Sequence, residues 1–133
     1  MVHTPSDTEV VCLYVSQMAL GTDFVEVQRI IQQCRVRNTG LGLRGALVFD
    51  GERFGQLFAG PRDLVRAAGA RISADAHMTN VRLLHMGTDV PQLLRGWSSG
   101  YCGTADLDQV IATGIGAASV DAFMRLLAEA VMD

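Results

Sequence analysis

The stretch Leu43-Arg44-Gly45-Ala46-Leu47-Val48-Phe49-Asp50-Gly51-Glu52-Arg53-Phe54-Gly55-Gln56-Leu57-Phe58 sets two apolar runs on either side of an Asp-Gly pair. Asp-Gly supplies the positive φ angles of tight hairpin turns, so the two runs are expected to pair as antiparallel strands. Upstream, Glu9-Val10-Val11-Cys12-Leu13-Tyr14-Val15-Ser16 is rich in β-branched and aromatic residues and reads as a buried strand. Between it and the hairpin, after Gly21-Thr22-Asp23, the residues Phe24, Val27, Ile30, Ile31 and Cys34 recur at helical spacing. Asp23 is the expected N-cap of that helix, and its end falls near Asn38-Thr39-Gly40. Downstream, Gly60-Pro61 opens a second helix, because proline is tolerated at the first helical position. Leu64, Val65, Ala68 and Ile72 give it an apolar stripe, and Val81 to Met86 form a fourth strand. The order β-α-β-β-α-β is the ferredoxin-like split arrangement of the α/β class, a four-stranded sheet with two helices on one face. Beyond it, Ser119 is placed to cap a terminal helix whose Val120, Phe123, Met124, Leu127 and Val131 form an apolar stripe.

Size and composition suit such a domain. The chain has 133 residues, 49% of them hydrophobic and 19% charged, enough apolar material for one core and too much for a disordered chain. Its net charge of −3, with no basic cluster, argues against nucleic acid, whose phosphates demand a cationic track. Cys12, Cys34 and Cys102 lie far apart without metal-ligand spacing, which speaks against a disulfide framework and structural zinc and for a reduced, cytoplasmic setting. No apolar run nears the ~20 residues of a membrane span. The start, Met1 to Asp7, lacks the plan of a signal peptide and reads as part of a loose tail over residues 1–8.

Three polar residues break the apolar pattern. Period two puts Tyr14 on the strand face of Val10 and Cys12, followed by Ser16, and puts Gln56 between Phe54 and Phe58. Helical spacing puts Asn38 at the end of the stripe Val27, Ile31 and Cys34. A phenol and two carboxamides thus point into one interior, where each unpaired group costs roughly 1–3 kcal/mol. Two readings compete at this point. In one, Asn38 caps its own helix and Tyr14 bonds Gln56 or a backbone carbonyl. In the other, the three surround a flat ligand with an apolar body and a polar edge, since an amide offers both donor and acceptor.

The same residues carry a family resemblance. Tyr14-Val15-Ser16, Asn38 followed by Gly45, the hairpin Gly45 to Leu57 with Gln56, Gly60-Pro61 and Gly96-Trp97-Ser98 together resemble the BLUF domain, a blue-light sensor that uses a flavin. The likeness covers residues 9–101, leaving 102–133 as a C-terminal helical extension. It implies a flavin held noncovalently between the two helices, FAD in the first instance, with FMN or riboflavin as alternatives. It implies that Tyr14 is the photoactive tyrosine, that Gln56 is the switching glutamine, and that Asn38 bonds the ring's carbonyl edge. Arg35 or Arg37 stands where the family places a basic residue along the flavin tail, and Trp97 matches a tryptophan after the fourth strand. In such proteins an electron and a proton pass from the tyrosine to the excited flavin and return, leaving the glutamine with rearranged hydrogen bonds.

Three positions depart from the family pattern. Ala59 replaces a frequent glutamate, His77 replaces an arginine facing the flavin tail, and Ser99 replaces a methionine implicated in output. Histidine is a weaker anion partner than arginine. No substrate turnover is implied and the protein is not expected to be an enzyme. The 32 residues after 101 leave no room for an attached nucleotide cyclase or phosphodiesterase domain, so output is expected through an unknown protein partner. The terminal stripe is expected to cover the free face of the sheet, with a homo-oligomer forming around it. The competing reading is a flavin-free interaction module on the same fold; a small hydrolase lacks a nucleophile and base pair. Gly40-Leu41-Gly42 lacks the continuation of a dinucleotide motif, Arg62, Arg66 and Arg71 read as a solvated face, and Gly69 within the second helix suggests a close approach there.

Overall fold

Alternation along β1 (Glu9–Met18) sends Val10, Cys12 and Tyr14 to one face of the sheet and Val11, Leu13 and Val15 to the other, as an extended backbone requires. The computed structural model describes residues 9–91, 94 and 101–132, and of residues 38, 39, 101–104 and 130–132 the backbone only. The expected tail over 1–8, Trp97, Ser99 and the Val131 side chain lie outside the described part. After β1 come α1 (Phe24–Leu41), β2 (Arg44–Phe49), β3 (Arg53–Pro61), α2 (Arg62–Ala74), β4 (Met78–Gly87), β5 (Tyr101–Thr104), α3 (Asp108–Thr113) and α4 (Ala117–Met132).

The sheet order is β4-β1-β3-β2-β5. Its first four strands pair antiparallel, which is the ferredoxin-like arrangement with a C-terminal helical part. The fifth strand is an addition: β5 lies parallel to β2 on the outer edge, with Ala46 opposite Tyr101 and Phe49 opposite Thr104. It covers backbone groups that would otherwise form an open sheet edge.

Asp23 caps α1 as expected, its Oδ1 accepting the Glu26 amide at 2.9 Å, and the helix continues to Leu41, slightly beyond the expected end. In the hairpin, Asp50 donates its amide to the Arg53 carbonyl at 3.1 Å. Gly51 alone of the Asp-Gly pair takes a positive φ, +101°. Asp50 serves differently, its Oδ1 accepting the amides of Glu52 at 3.0 Å and Arg53 at 2.7 Å. Two expected helix starts shift. Pro61 closes β3 and occupies the N-cap of α2 with ψ 140°, since its extended backbone still follows the strand. Ser119 sits inside α4, where its hydroxyl donates to the Gly116 carbonyl at 2.7 Å. It therefore does not cap the helix, and the C-terminal part holds two helices.

Both faces of the sheet are covered. Val27 and Ile30 of α1 and Val65 and Ile72 of α2 pack on Cys12, Leu47, Phe54 and Phe58. Beneath, Leu107 at the head of α3 and Phe123 and Leu127 of α4 pack on Leu13, Val48, Leu57 and Leu84. The terminal stripe therefore covers the sheet, and a bond from the Gly116 amide to the Leu84 carbonyl, 2.8 Å, ties the layer to β4.

Candidate functional site

In the β1–β3 register Tyr14 stands opposite Gln56, flanked by the pairs Cys12 with Phe58 and Ser16 with Phe54. The two residues singled out from the sequence are therefore cross-strand neighbours on the face that carries α1 and α2. Gln56 is 3% exposed. Its Nε2 donates to Cys34 Sγ of α1 at 3.6 Å, while its Oε1 is buried with no donor among the described residues. Turning the amide over only exchanges which end is left without a partner. A buried polar atom left so costs roughly 1–3 kcal/mol, a cost that a ligand with a donor would remove.

Tyr14 does not supply that donor here. Its ring stacks on Phe58, with centroids 5.9 Å apart and planes 17° from parallel. Its hydroxyl reaches α2 over Gly69, where an added Cβ would lie 2.2 Å from it. The close approach suggested by Gly69 is thus an approach of the phenol, and no bond joins Tyr14 to Gln56 among the described residues. Burial first, and the neighbouring Cys12 second, push the phenol pKa up, so Tyr14 is a neutral O–H donor at physiological pH.

A cleft opens between α1 and α2 above these strands. Ile30, Cys34, Phe58 and Ile72 line it, Gln56 lies at its buried end, and the exposed Arg37 and Arg71 stand along it. Its volume is about 40 Å³, far below the roughly 300 Å³ at which small-molecule pockets begin. Seating a fused ring therefore requires α1 and α2 to part. Asn38 follows Arg37 at the end of α1, and its side chain lies outside the described part. Arg35 is exposed and does not line the cleft. His77 does not line it either: its Nδ1 lies 3.1 Å from Asp75 Oδ1 and its Nε2 3.3 Å from Glu26 Oε2, so both ring nitrogens face carboxylates of the chain itself.

Arg71, grouped by sequence with a solvated face, is exposed as that reading requires and also borders the cleft. Its place one helical turn after the buried Ala68 is the signal that could have found it. Ala59, the first departure from the family pattern, is fully buried on the opposite face, within the C-terminal layer's core. A glutamate there would be desolvated among apolar side chains, and its replacement leaves the cleft untouched. Neither Cys12 nor Cys34 is joined in a disulfide. Among the described residues no cluster could hold a metal ion, and no helix is long and apolar enough to cross a membrane.

Residues 10–100 match the family described as BLUF, sensors of blue-light using FAD. The chain belongs to the BLUF family. Among solved structures, the BLUF protein BlrB in its dark state aligns with a TM-score of 0.77 at 24% identity, covering 94% of this chain and 98% of that one. The photo-activated state of BlsA aligns at 0.72 and 18% identity, covering 90% and 94%. BlrP1 of Klebsiella pneumoniae, in a complex with manganese and cyclic diGMP, aligns at 0.62 and 19% identity, covering 89% of this chain but 28% of its own. At these identities the structures speak for the fold alone. No curated sequence matches. BLUF domains are flavin-based light sensors rather than enzymes. The cleft of this BLUF protein fits such a group in chemistry, with an apolar wall, an unmet amide at the buried end and two guanidinium groups alongside.

Proposed function

We propose that this BLUF protein senses blue light through a flavin in the α1/α2 cleft, with Tyr14 and Gln56 as the switching pair, and passes the signal to a protein partner. The observation that carries the reading is the Gln56 Oε1, buried without a donor beside Tyr14 and the cleft. When bound, a flavin supplies light absorption and a ring able to take up and return one electron and one proton. Tyr14 holds its phenolic proton because burial pushes its pKa up, so its Oη stands ready as the donor. Gln56 carries a donor at one end of its amide and an acceptor at the other, so two arrangements of similar free energy are available to it. Such a pair is a bistable element that light can bias. Asn38, at the end of α1, suits the carbonyl edge of the ring. Arg37 and Arg71 suit an anionic tail, with Arg35 and His77 directed to solvent and to Glu26 and Asp75. Trp97 and Ser99 are assigned to output by family position.

Purification in darkness tests this. A yellow protein whose flavin band shifts to the red in blue light and recovers in darkness supports it. A colourless protein that takes up no added FAD overturns it in favour of the flavin-free interaction module. Gln56→Leu is expected to abolish the shift while keeping flavin; a shift of full size in that variant would remove Gln56 from the switch. Mass analysis of the extracted pigment separates FAD from FMN and riboflavin.

A further inference from the structure

At the other end of α1, the link from β1 and the first turn of the helix leave large apolar side chains in solvent. Leu20 is fully exposed, and Phe24 and Val25 are largely so, at 71% and 70%. Phe24 borders a groove of about 1080 Å³ with Met18, Val27 and Phe49 as its apolar floor. Its far wall is built by the β2–β3 hairpin and by the turn from β5 into α3, which contribute Asp50, Glu52, Asp106 and Asp108. Against these four carboxylates stands, among the described residues, one cation, Arg53, already held by Asp50 at 2.6 Å and Asp108 at 2.5 Å, with Asp106 at 3.8 Å, so that a net negative charge remains along the wall. The groove is thus apolar along its base and negative along one wall.

We propose that this groove docks a basic amphipathic segment of a partner protein. An apolar side chain of the partner would fill the floor between Phe24 and Phe49, and its lysine or arginine side chains would meet Glu52, Asp106 and Asp108. Charge complementarity selects this occupant: a neutral apolar segment leaves the carboxylates unanswered, and an acidic one is repelled. The wall begins at Arg53, three residues before Gln56 on the same strand, so a partner seated here touches the end of the glutamine strand. The proposal does not depend on flavin binding and is tested in darkness.

The probe is a labelled synthetic peptide alternating leucine and lysine at helical spacing, with a leucine and glutamate peptide as control, titrated by fluorescence anisotropy against the full chain. Saturable binding of the lysine peptide alone is expected. It should weaken about tenfold in Phe24→Ser, the order expected for one lost apolar anchor, and similarly in Glu52→Lys combined with Asp106→Lys. Because these side chains are exposed, the variants should fold, which circular dichroism checks. Asp121→Lys, an exposed site on α4, serves as the remote control and should leave binding unchanged. Equal binding of both peptides, undiminished binding by the groove variants, or an equal loss in Asp121→Lys would overturn the proposal. Sedimentation showing a dimer that Phe24→Ser dissociates would overturn it as well, by making the occupant a second copy of the chain.

Discussion

Around Tyr14 the structure sets a tight geometric condition. A Cβ on Gly69 would stand 2.2 Å from the phenol oxygen and 2.9 Å from Cζ, so alanine cannot enter unless Tyr14 moves. Alanine favours a helix over glycine by about 1 kcal/mol, and overlap in a packed site costs typically 1–3 kcal/mol. Gly69→Ala is therefore expected to melt within about 2 kcal/mol of the parent while the size of the light-induced shift falls. A shift of unchanged size would mean that the flavin-bound phenol does not rest on α2. The thiols offer a second test at this scale. Burial pushes Cys12 up to about 12, whereas Cys34 is half-buried on the cleft. Iodoacetamide at pH 8 should modify Cys34 long before Cys12, and bound flavin should protect Cys34. Mass spectrometry of peptides reads both, and equal labelling of Cys34 with and without flavin would place the ring elsewhere. Alternation alone put Tyr14 and Gln56 on one face. The path of the hydroxyl over Gly69 was not legible, because it depends on how α2 crosses the sheet.

The hairpin shows how one carboxylate organises an element. Partial burial works to raise the Asp50 pKa, but the amides of Glu52 and Arg53 and the Arg53 guanidinium outweigh it and hold the carboxyl below its ordinary value. A depressed carboxylate contributes stability that is present above its unfolded pKa and lost as pH falls through the folded one. Asp50→Ala should cost about 1–2 kcal/mol in urea unfolding at neutral pH. The cost should shrink below about pH 4, the ordinary carboxylate range, where the parent loses the same charge. A cost independent of pH would show that shape, rather than charge, holds the turn. Elements with a strong period or turn pair were readable: the Asp-Gly hairpin, the stripe of α1 and the β-branched run of β1. Those missed are short. β5 has four residues and α3 has six, too few to display a period, and both exist through contact with β2 and with the underside of the sheet. Ser119 does not cap its helix, although a serine before an apolar stripe carries the same signal when it lies within the first turn.

For the whole molecule, the question is whether the α1/α2 side and the C-terminal layer communicate through the sheet between them. Gly55 precedes Gln56 and faces the other way, and a Cβ on it would lie 2.9 Å from both Leu107 Cδ2 and Phe123 Cε2. The layer thus rests directly on the backbone of the glutamine strand, and Phe123 is fully buried there. Phe123→Ala should cost about 3–5 kcal/mol, which risks unfolding; Phe123→Leu keeps the site filled and is the better probe. Flavin binding stabilises the folded chain by mass action, about 2.7 kcal/mol at one hundred times Kd. Unfolding of parent and Phe123→Leu, each with and without flavin, then closes a thermodynamic cycle. Sites with no shared partners add to within about 0.5 kcal/mol. The two faces share the Gly55–Gln56 backbone, so a coupling above that value is expected, together with an altered rate of dark recovery. A coupling within 0.5 kcal/mol and an unaltered recovery would mean that the strand is rigid and isolates the layers. Output would then have to leave through α1, α2 or the strand ends rather than through α4.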